Sequence, residues 1–235
     1  MFDKYQLSGA YHWRQTDRSW YNSEFNPPLV ARYEALMKML PHQAQTILDV
    51  GCGDGYLIYL ASCKHAHIHL YGVDEDTLAV NLAKEELKKH NCKSSIYCAN
   101  VYHLPFQSTS FDAVLMADVI EHLDEQDRAL KEVCRILRDD GILLLTTPNR
   151  QPYMKWDKLH VREYNAYELK ILLKKYFSNV QVTSCWPMWW VHHYKAGGIK
   201  RQLINALCRI GYNPFLKNAS SPTVDYGQLI ARCMK

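Results

Sequence analysis

Asp118, Glu121 and His122 bring two carboxylates and an imidazole together at spacings of three and four, which puts them on one face if the segment is helical. A second imidazole, His160, lies downstream in Leu159-His160-Val161-Arg162-Glu163-Tyr164. Two chemistries suit this set. His122, His160 or Glu121 can take a proton from an acceptor as general base. Alternatively, Asp118, Glu121, His122 and His160 can hold a divalent cation that acidifies a bound hydroxyl. No metal is expected, and that quartet is the ligand set if one binds. The competing reading makes Glu121 and His122 structural, capping a helix and lining a pocket.

A second set is built for binding. Asp49-Val50-Gly51-Cys52-Gly53-Asp54-Gly55 follows a short apolar run, and its alternating glycines let the backbone turn tightly and approach a ligand closely. About twenty residues beyond the glycines, Tyr71-Gly72-Val73-Asp74 ends a second apolar run. An acid there is placed to accept hydrogen bonds from two ribose hydroxyls, with Glu75 beside it.

The elements that must position these residues alternate along the chain. Asn26-Pro27-Pro28 starts a helix that Pro41 ends. Thr46–Val50, His67–Val73, Ser95–Cys98, Ala113–Met116, Ile142–Thr147, Asn179–Thr183 and Gln228–Cys233 read as strands. Between them, Tyr56–Cys63 is apolar and Asp74–Lys89 reads as a helix. Another runs through Leu130, Val133, Cys134 and Leu137 to Asp139-Asp140-Gly141, and Asn165 with Glu168 caps one through Tyr176. The pattern predicts an α/β fold: a Rossmann-like, seven-stranded, mostly parallel sheet with helices on both faces and the last strand antiparallel. Ligands then bind at the carboxyl ends of the strands. Residues 1–45 are expected to form an N-terminal helical cap, 46–183 the cofactor-binding core, 184–224 an insertion and 225–235 the last strand, all within one domain.

The segment from Ile47 to Asn149 resembles the class I S-adenosylmethionine-dependent methyltransferases, and the ubiquinone-biosynthesis methylases among them. The resemblance rests on Ile47–Gly55, Asp74, Leu104-Pro105-Phe106, Ser110-Phe111-Asp112, Ala117–Leu123, Leu137–Gly141 and Thr147-Pro148-Asn149. It implies S-adenosylmethionine as cofactor, held by Asp49, Gly51, Cys52, Gly53, Gly55, Asp74, Glu75, Asn100, Val101, Ala117 and Asp118. Asn100 stands where that family usually has an Asp facing the adenine amino group, and its side-chain oxygen can accept the same bond. The acid–histidine set is similar to that of metal-dependent O-methyltransferases of ubiquinone biosynthesis and of the small-RNA terminal 2'-O-methyltransferases. Asp118 departs from them, since Glu is commoner there. A nicotinamide-dependent dehydrogenase would need Gly at position 56, which is Tyr, and Asp54 would repel a pyrophosphate. A sulfonium cofactor carries no phosphate, so nearby acids suit it.

The net charge of +4 on 235 residues is mild, and a nucleic-acid partner is not expected. The eight cysteines show no Cys-x-x-Cys pair and read as reduced thiols. The opening residues lack a signal-peptide core and no run spans a bilayer, so a cytoplasmic location is expected. His65, His67 and His69 alternate with no fourth ligand nearby and read as edge-strand residues. The 184–224 insertion is rich in aromatic and basic residues, with Ile199, Leu203, Ala206, Leu207 and Ile210 on one helical side. It reads as a lid over a lipid-like acceptor, as a peripheral membrane contact, or as simple packing against the sheet. The aromatic stretch with Tyr11, Trp13, Trp20 and Tyr21 is expected to close over the cofactor. The leading expectation is methylation, at oxygen, of a small lipid-like or aromatic acceptor. The alternatives are an RNA terminal 2'-O-methyltransferase and a binding protein without catalysis.

Overall fold

The computed structural model describes residues 4–64, 68–153, 157–218 and 225–235. Seven strands form one sheet in the order β3-β2-β1-β4-β5-β7-β6: β1 Thr46–Val50, β2 His69–Asp74, β3 Ser95–Cys98, β4 Phe111–Ala117, β5 Leu137–Pro148, β6 Asn179–Pro187 and β7 Tyr226–Met234. Only β7 runs antiparallel to its neighbours, β5 and β6. The fold class expected from the sequence is therefore the one observed. The strand order reverses between β1 and β4, which opens a crevice at their carboxyl ends.

Side-chain alternation along the central strands supplies both faces of the sheet. Ile47, Ala113, Leu115, Ile142 and Leu144 pack under α3 (Pro27–Met39), α4 (Tyr56–Lys64) and α5 (Thr77–Lys89). Leu48, Val114, Met116, Leu143 and Leu145 pack under α6 (Gln126–Ile136) and α7 (Ala166–Lys174). A third cluster joins Phe25 and Val30 to Val191, Ile204 and Phe215, from α8 (Met188–Lys195), α9 (Gly198–Arg209) and the turn after them. Two short helices, α1 (Lys4–Ser8) and α2 (Tyr11–Thr16), precede α3.

Several predicted boundaries move. Asp74 ends β2 rather than starting a helix, and Asp76 is the cap of α5, accepting from Leu78 N at 2.8 Å. Leu137 leaves the helix and begins β5, pairing with Phe111 across an irregularity in register. Helix α7 stops at Lys174 rather than Tyr176, and its capping box of Asn165 and Glu168 is present. Strand β6 continues to Pro187, so the crossover starts at Met188 and not at Ser184. His65 and His67, and the end of the insertion at 219–224, lie outside the described residues. All eight cysteines are free thiols. No helix among the described residues is long and apolar enough to cross a membrane.

Candidate active site

The loop after β1 folds back over β2. Gly51 N and Cys52 N both donate to Val73 O, at 2.8 and 3.0 Å. Gly51 needs φ +71°, and a Cβ there would meet Val119 Cγ2 at 2.5 Å. Gly53 N donates to Asp74 Oδ2 at 2.9 Å, while Asp74 Oδ1 accepts from Asp76 N at 3.0 Å. The ribose-binding acid expected from the sequence is thus held rigidly by two backbone donors. Gly55 has a different job: a Cβ there would meet Leu87 Cδ1 at 2.8 Å, so its bareness lets the loop pack on α5.

A cavity of roughly 870 Å³ opens at these strand ends, a size suited to a nucleoside-sized ligand. Asp49, Gly51, Cys52, Asp74, Glu75, Val101, Ala117 and Asp118 line it. Gly53, Gly55 and Asn100 are not among the lining residues. Asn100 is exposed and its Oδ1 accepts from Tyr102 N at 2.9 Å, while its neighbours Ala99 and Val101 form the wall. Asp49 is buried with its Oδ1 unpartnered. Burial, reinforced by Asp74 and Asp54, pushes its carboxyl well above the usual carboxylate range. Burial likewise raises Asp74, against the two backbone N–H bonds that oppose it. An orphaned acid in such a wall calls for a cationic ligand. S-adenosylmethionine, with its ammonium and sulfonium centres, fits that demand; a pyrophosphate does not.

The N-terminal helices close this half of the cavity. His12 N donates to Asp54 Oδ2 at 2.8 Å, and His12 Nδ1 lies 2.9 Å from Asp54 Oδ1. Trp13 Nε1 donates to Asp54 O at 2.8 Å. Lys4, Tyr5 and Tyr11 reach the cavity itself. Of the aromatics expected to cover the cofactor, Tyr11 lines the cavity and Trp13 braces the loop. Trp20 and Tyr21 instead face solvent.

The acid–histidine set occupies the other half, and it is not one helical face. Only Ile120–His122 form a 3-10 turn, and Asp118 precedes it with φ +53°. Asp118 is fully engaged: Arg32 Nη1 donates to Oδ2, and Thr146 Oγ1 and Gln228 Nε2 donate to Oδ1 at 2.8 and 2.6 Å. Its carboxylate therefore stands apart from the expected quartet, and the group able to converge on one ion is Glu121, His122 and His160, with ligand atoms within 4.8 Å of one another.

Glu121 is buried, with Thr147 Oγ1 donating to Oε2 at 2.9 Å and Oε1 unpartnered. Burial pushes its carboxyl to about 7. Its backbone carbonyl accepts from Val161 N at 2.8 Å and Arg162 N at 3.1 Å, which ties the His160 loop to this turn. The two imidazoles meet edge to face, centroids 4.9 Å apart. His122 Nδ1 donates to Leu159 O at 3.0 Å and His160 Nδ1 donates to Glu163 Oε1 at 2.7 Å. With Nδ1 donating, either ring in its neutral form carries its lone pair on Nε2. Burial, with His160 and Lys4 nearby, lowers the His122 pKa, which favours the neutral ring. Sequence reasoning missed Arg32, Thr146, Gln228 and the orienting role of Glu163. No local signal marks the first three, whereas Glu163 sits a readable three positions from His160.

Residues 48–145 match the family described as Methyltransferase domain. A probable S-adenosylmethionine-dependent methyltransferase of Mycobacterium tuberculosis is 33% identical over 135 residues, covering 55% of this chain and 47% of that protein. A demethylmenaquinone methyltransferase of Bacteroides fragilis is 32% identical over 141 residues, covering 58% and 53%. The chain spans about half the length of these curated relatives. Among solved structures, the Haemonchus contortus phosphoethanolamine N-methyltransferase 2 in complex with S-adenosyl-L-methionine superposes with TM-score 0.70 at 18% identity, over 99% of this chain and 58% of that one.

Proposed function

We propose that this chain, which carries a class I S-adenosylmethionine-dependent methyltransferase domain, moves the cofactor's methyl to a hydroxyl of a small acceptor with an apolar or aromatic body. The observation that carries the reading is the Glu121–His122–His160 cluster in the wall of the cavity that Asp49 and Asp74 also line. An amine acceptor arrives with its own lone pair; a hydroxyl needs a base. When bound, S-adenosylmethionine supplies an electrophilic methyl whose bonding electrons stay with sulfur as a neutral thioether leaves. His122 Nε2 takes the acceptor proton as the oxygen lone pair forms the new carbon–oxygen bond. Leu159 O and the Glu163–His160 pair hold the imidazoles in place for that transfer. Leu123 and Leu159, next to His122 and His160 in the chain, give the acceptor side of the cavity apolar surface. The demethylmenaquinone methyltransferase relative supports such an acceptor.

The test is transfer of radiolabel from S-adenosylmethionine into a fractionated cell extract. Label in the organic-soluble fraction, lost in His122→Asn while cofactor binding persists, is the expected result. Label confined to protein or RNA would overturn the reading, as would full transfer by the variant.

A further inference from the structure

Helix α9 has two apolar faces, and the fold uses only one. Ile204 and Cys208 point inward and join the cluster around Phe25 and Phe215. Of the arc made by positions 199, 203, 206, 207 and 210, Ala206 and Leu207 are half-buried and the other three face solvent. Ile199 is 75% exposed, Leu203 61% and Ile210 71%. Of the three readings left open by the sequence, packing against the sheet does not hold for these three side chains. Trp20, 62% exposed, lies beside the C-terminal end of the helix, where the Arg209 guanidinium sits 5.6 Å from its ring. Tyr212 follows α9 and is also exposed. Isolated exposed apolar residues are ordinary, but a continuous arc with aromatics at one end is not.

The charges around the arc say what covers it. No Asp or Glu occurs between Glu168 and Asp225, while Lys195, Lys200 and Arg201 fall within α8 and α9 and Lys217 follows the turn at Pro214–Leu216. Lys195, Lys200, Arg201 and Lys217 are exposed. An apolar arc flanked by lysines, with Trp and Tyr at its margin, is the pattern of a helix lying in the plane of an anionic lipid interface. A second copy of the chain would set these cations against their own kind with no acid in the segment to answer them. The position also suits access to the site. Strand β6 runs parallel to β5, both being antiparallel to β7, so α8 leaves the sheet at the same carboxyl edge that holds the cavity.

We propose that the outer face of α9, with Trp20 and Tyr212 at its end, docks peripherally on anionic phospholipid membranes. The inference rests on this surface alone and does not depend on which atom is methylated. The test sediments the full chain with vesicles of phosphatidylcholine alone, or with an equal part of phosphatidylglycerol. Wild type should pellet with the phosphatidylglycerol vesicles and release as salt rises. Ile199→Ser with Leu203→Ser should weaken that binding on the order of a hundredfold, about tenfold per buried side chain. Because both side chains are exposed, thermal unfolding and cofactor binding should match wild type and certify the fold. Lys195→Glu with Lys200→Glu provides an independent second variant, also expected to release the protein. Binding that either folded variant leaves intact would overturn the proposal, as would equal binding to phosphatidylcholine alone. So would no binding to either vesicle, and a concentration-dependent dimer lost in Ile199→Ser with Leu203→Ser would then assign the face to a second copy.

Discussion

Glu121→Gln isolates the buried carboxyl at the centre of the site. The side chain keeps its shape, and an amide oxygen still accepts from Thr147 Oγ1. What disappears is the ability to ionise. Burial raises the Glu121 carboxyl from 4.5 to about 7 on folding. Between those values the folded protein holds a proton that the unfolded chain has released, so stability falls as pH rises through the window. Above the folded value the full penalty is present, about 3 kcal/mol at 1.36 kcal/mol for each tenfold change. The glutamine variant should therefore match wild type near pH 4.5 and exceed it at pH 8. In a domain of this length that difference is about 6 to 12 °C in melting temperature. Thermal unfolding of both proteins in chelator across this range makes the measurement. Parallel curves would refute the reasoning, because they would mean that Glu121 is already ionised in the folded protein and its burial is relieved by something the geometry omits.

Asp74→Asn should weaken S-adenosylmethionine binding about 10- to 100-fold by calorimetry, since charge-assisted hydrogen bonds to the ribose are lost; unchanged affinity would remove Asp74 from the site. Gly55→Ala should destabilise the fold by about 2 to 4 kcal/mol in urea, combining φ +80° with the Leu87 contact at 2.8 Å. A variant as stable as wild type would show that the loop has room. With His122 as the proposed base, treatment with a chelator should leave methyl transfer intact; activity lost and then restored by a divalent ion would convert Glu121, His122 and His160 into a metal site.

What the sequence disclosed and what it hid divide by distance along the chain. The strand Thr46–Val50, the glycine loop and Asp74 are local patterns: the strand forms as read and Gly51 and Asp74 line the cavity, while Gly53 and Gly55 do not. Leu137 is different. Its spacing from Leu130, Val133 and Cys134 continues a helical stripe, yet pairing with Phe111 draws it into β5. Periodicity cannot report a competing partner twenty-six residues away by simple count. The α9 arc shows the same limit from another side. A hydrophobic stripe is visible in sequence, but which of two apolar faces turns inward depends on partners outside the helix, Phe25 far upstream and Phe215 in the turn just after it. Resemblance puts the Asn100 oxygen against the adenine, whereas in the structure it accepts from Tyr102 N.

Asp118 has the side-chain type of a ligand, and its partners make it a strut. Its left-handed backbone, φ +53°, turns the chain sharply as it leaves β4. A non-glycine residue in that conformation needs its surroundings to hold it there. Arg32 from α3, Thr146 from β5 and Gln228 from β7 supply the restraint, two of them 86 and 110 residues away in sequence. The turn then has two consequences at once. It presses Val119 against Gly51, where any side chain would collide, and so fixes the floor of the cofactor loop. It also points Glu121 inward to Thr147 and lets the Glu121 carbonyl anchor the loop that carries His160. The glycine loop and the proposed base are thus positioned by one residue in a left-handed conformation. The same carboxylate that looked like a ligand for chemistry is better explained as the joint that aligns the two halves of the site.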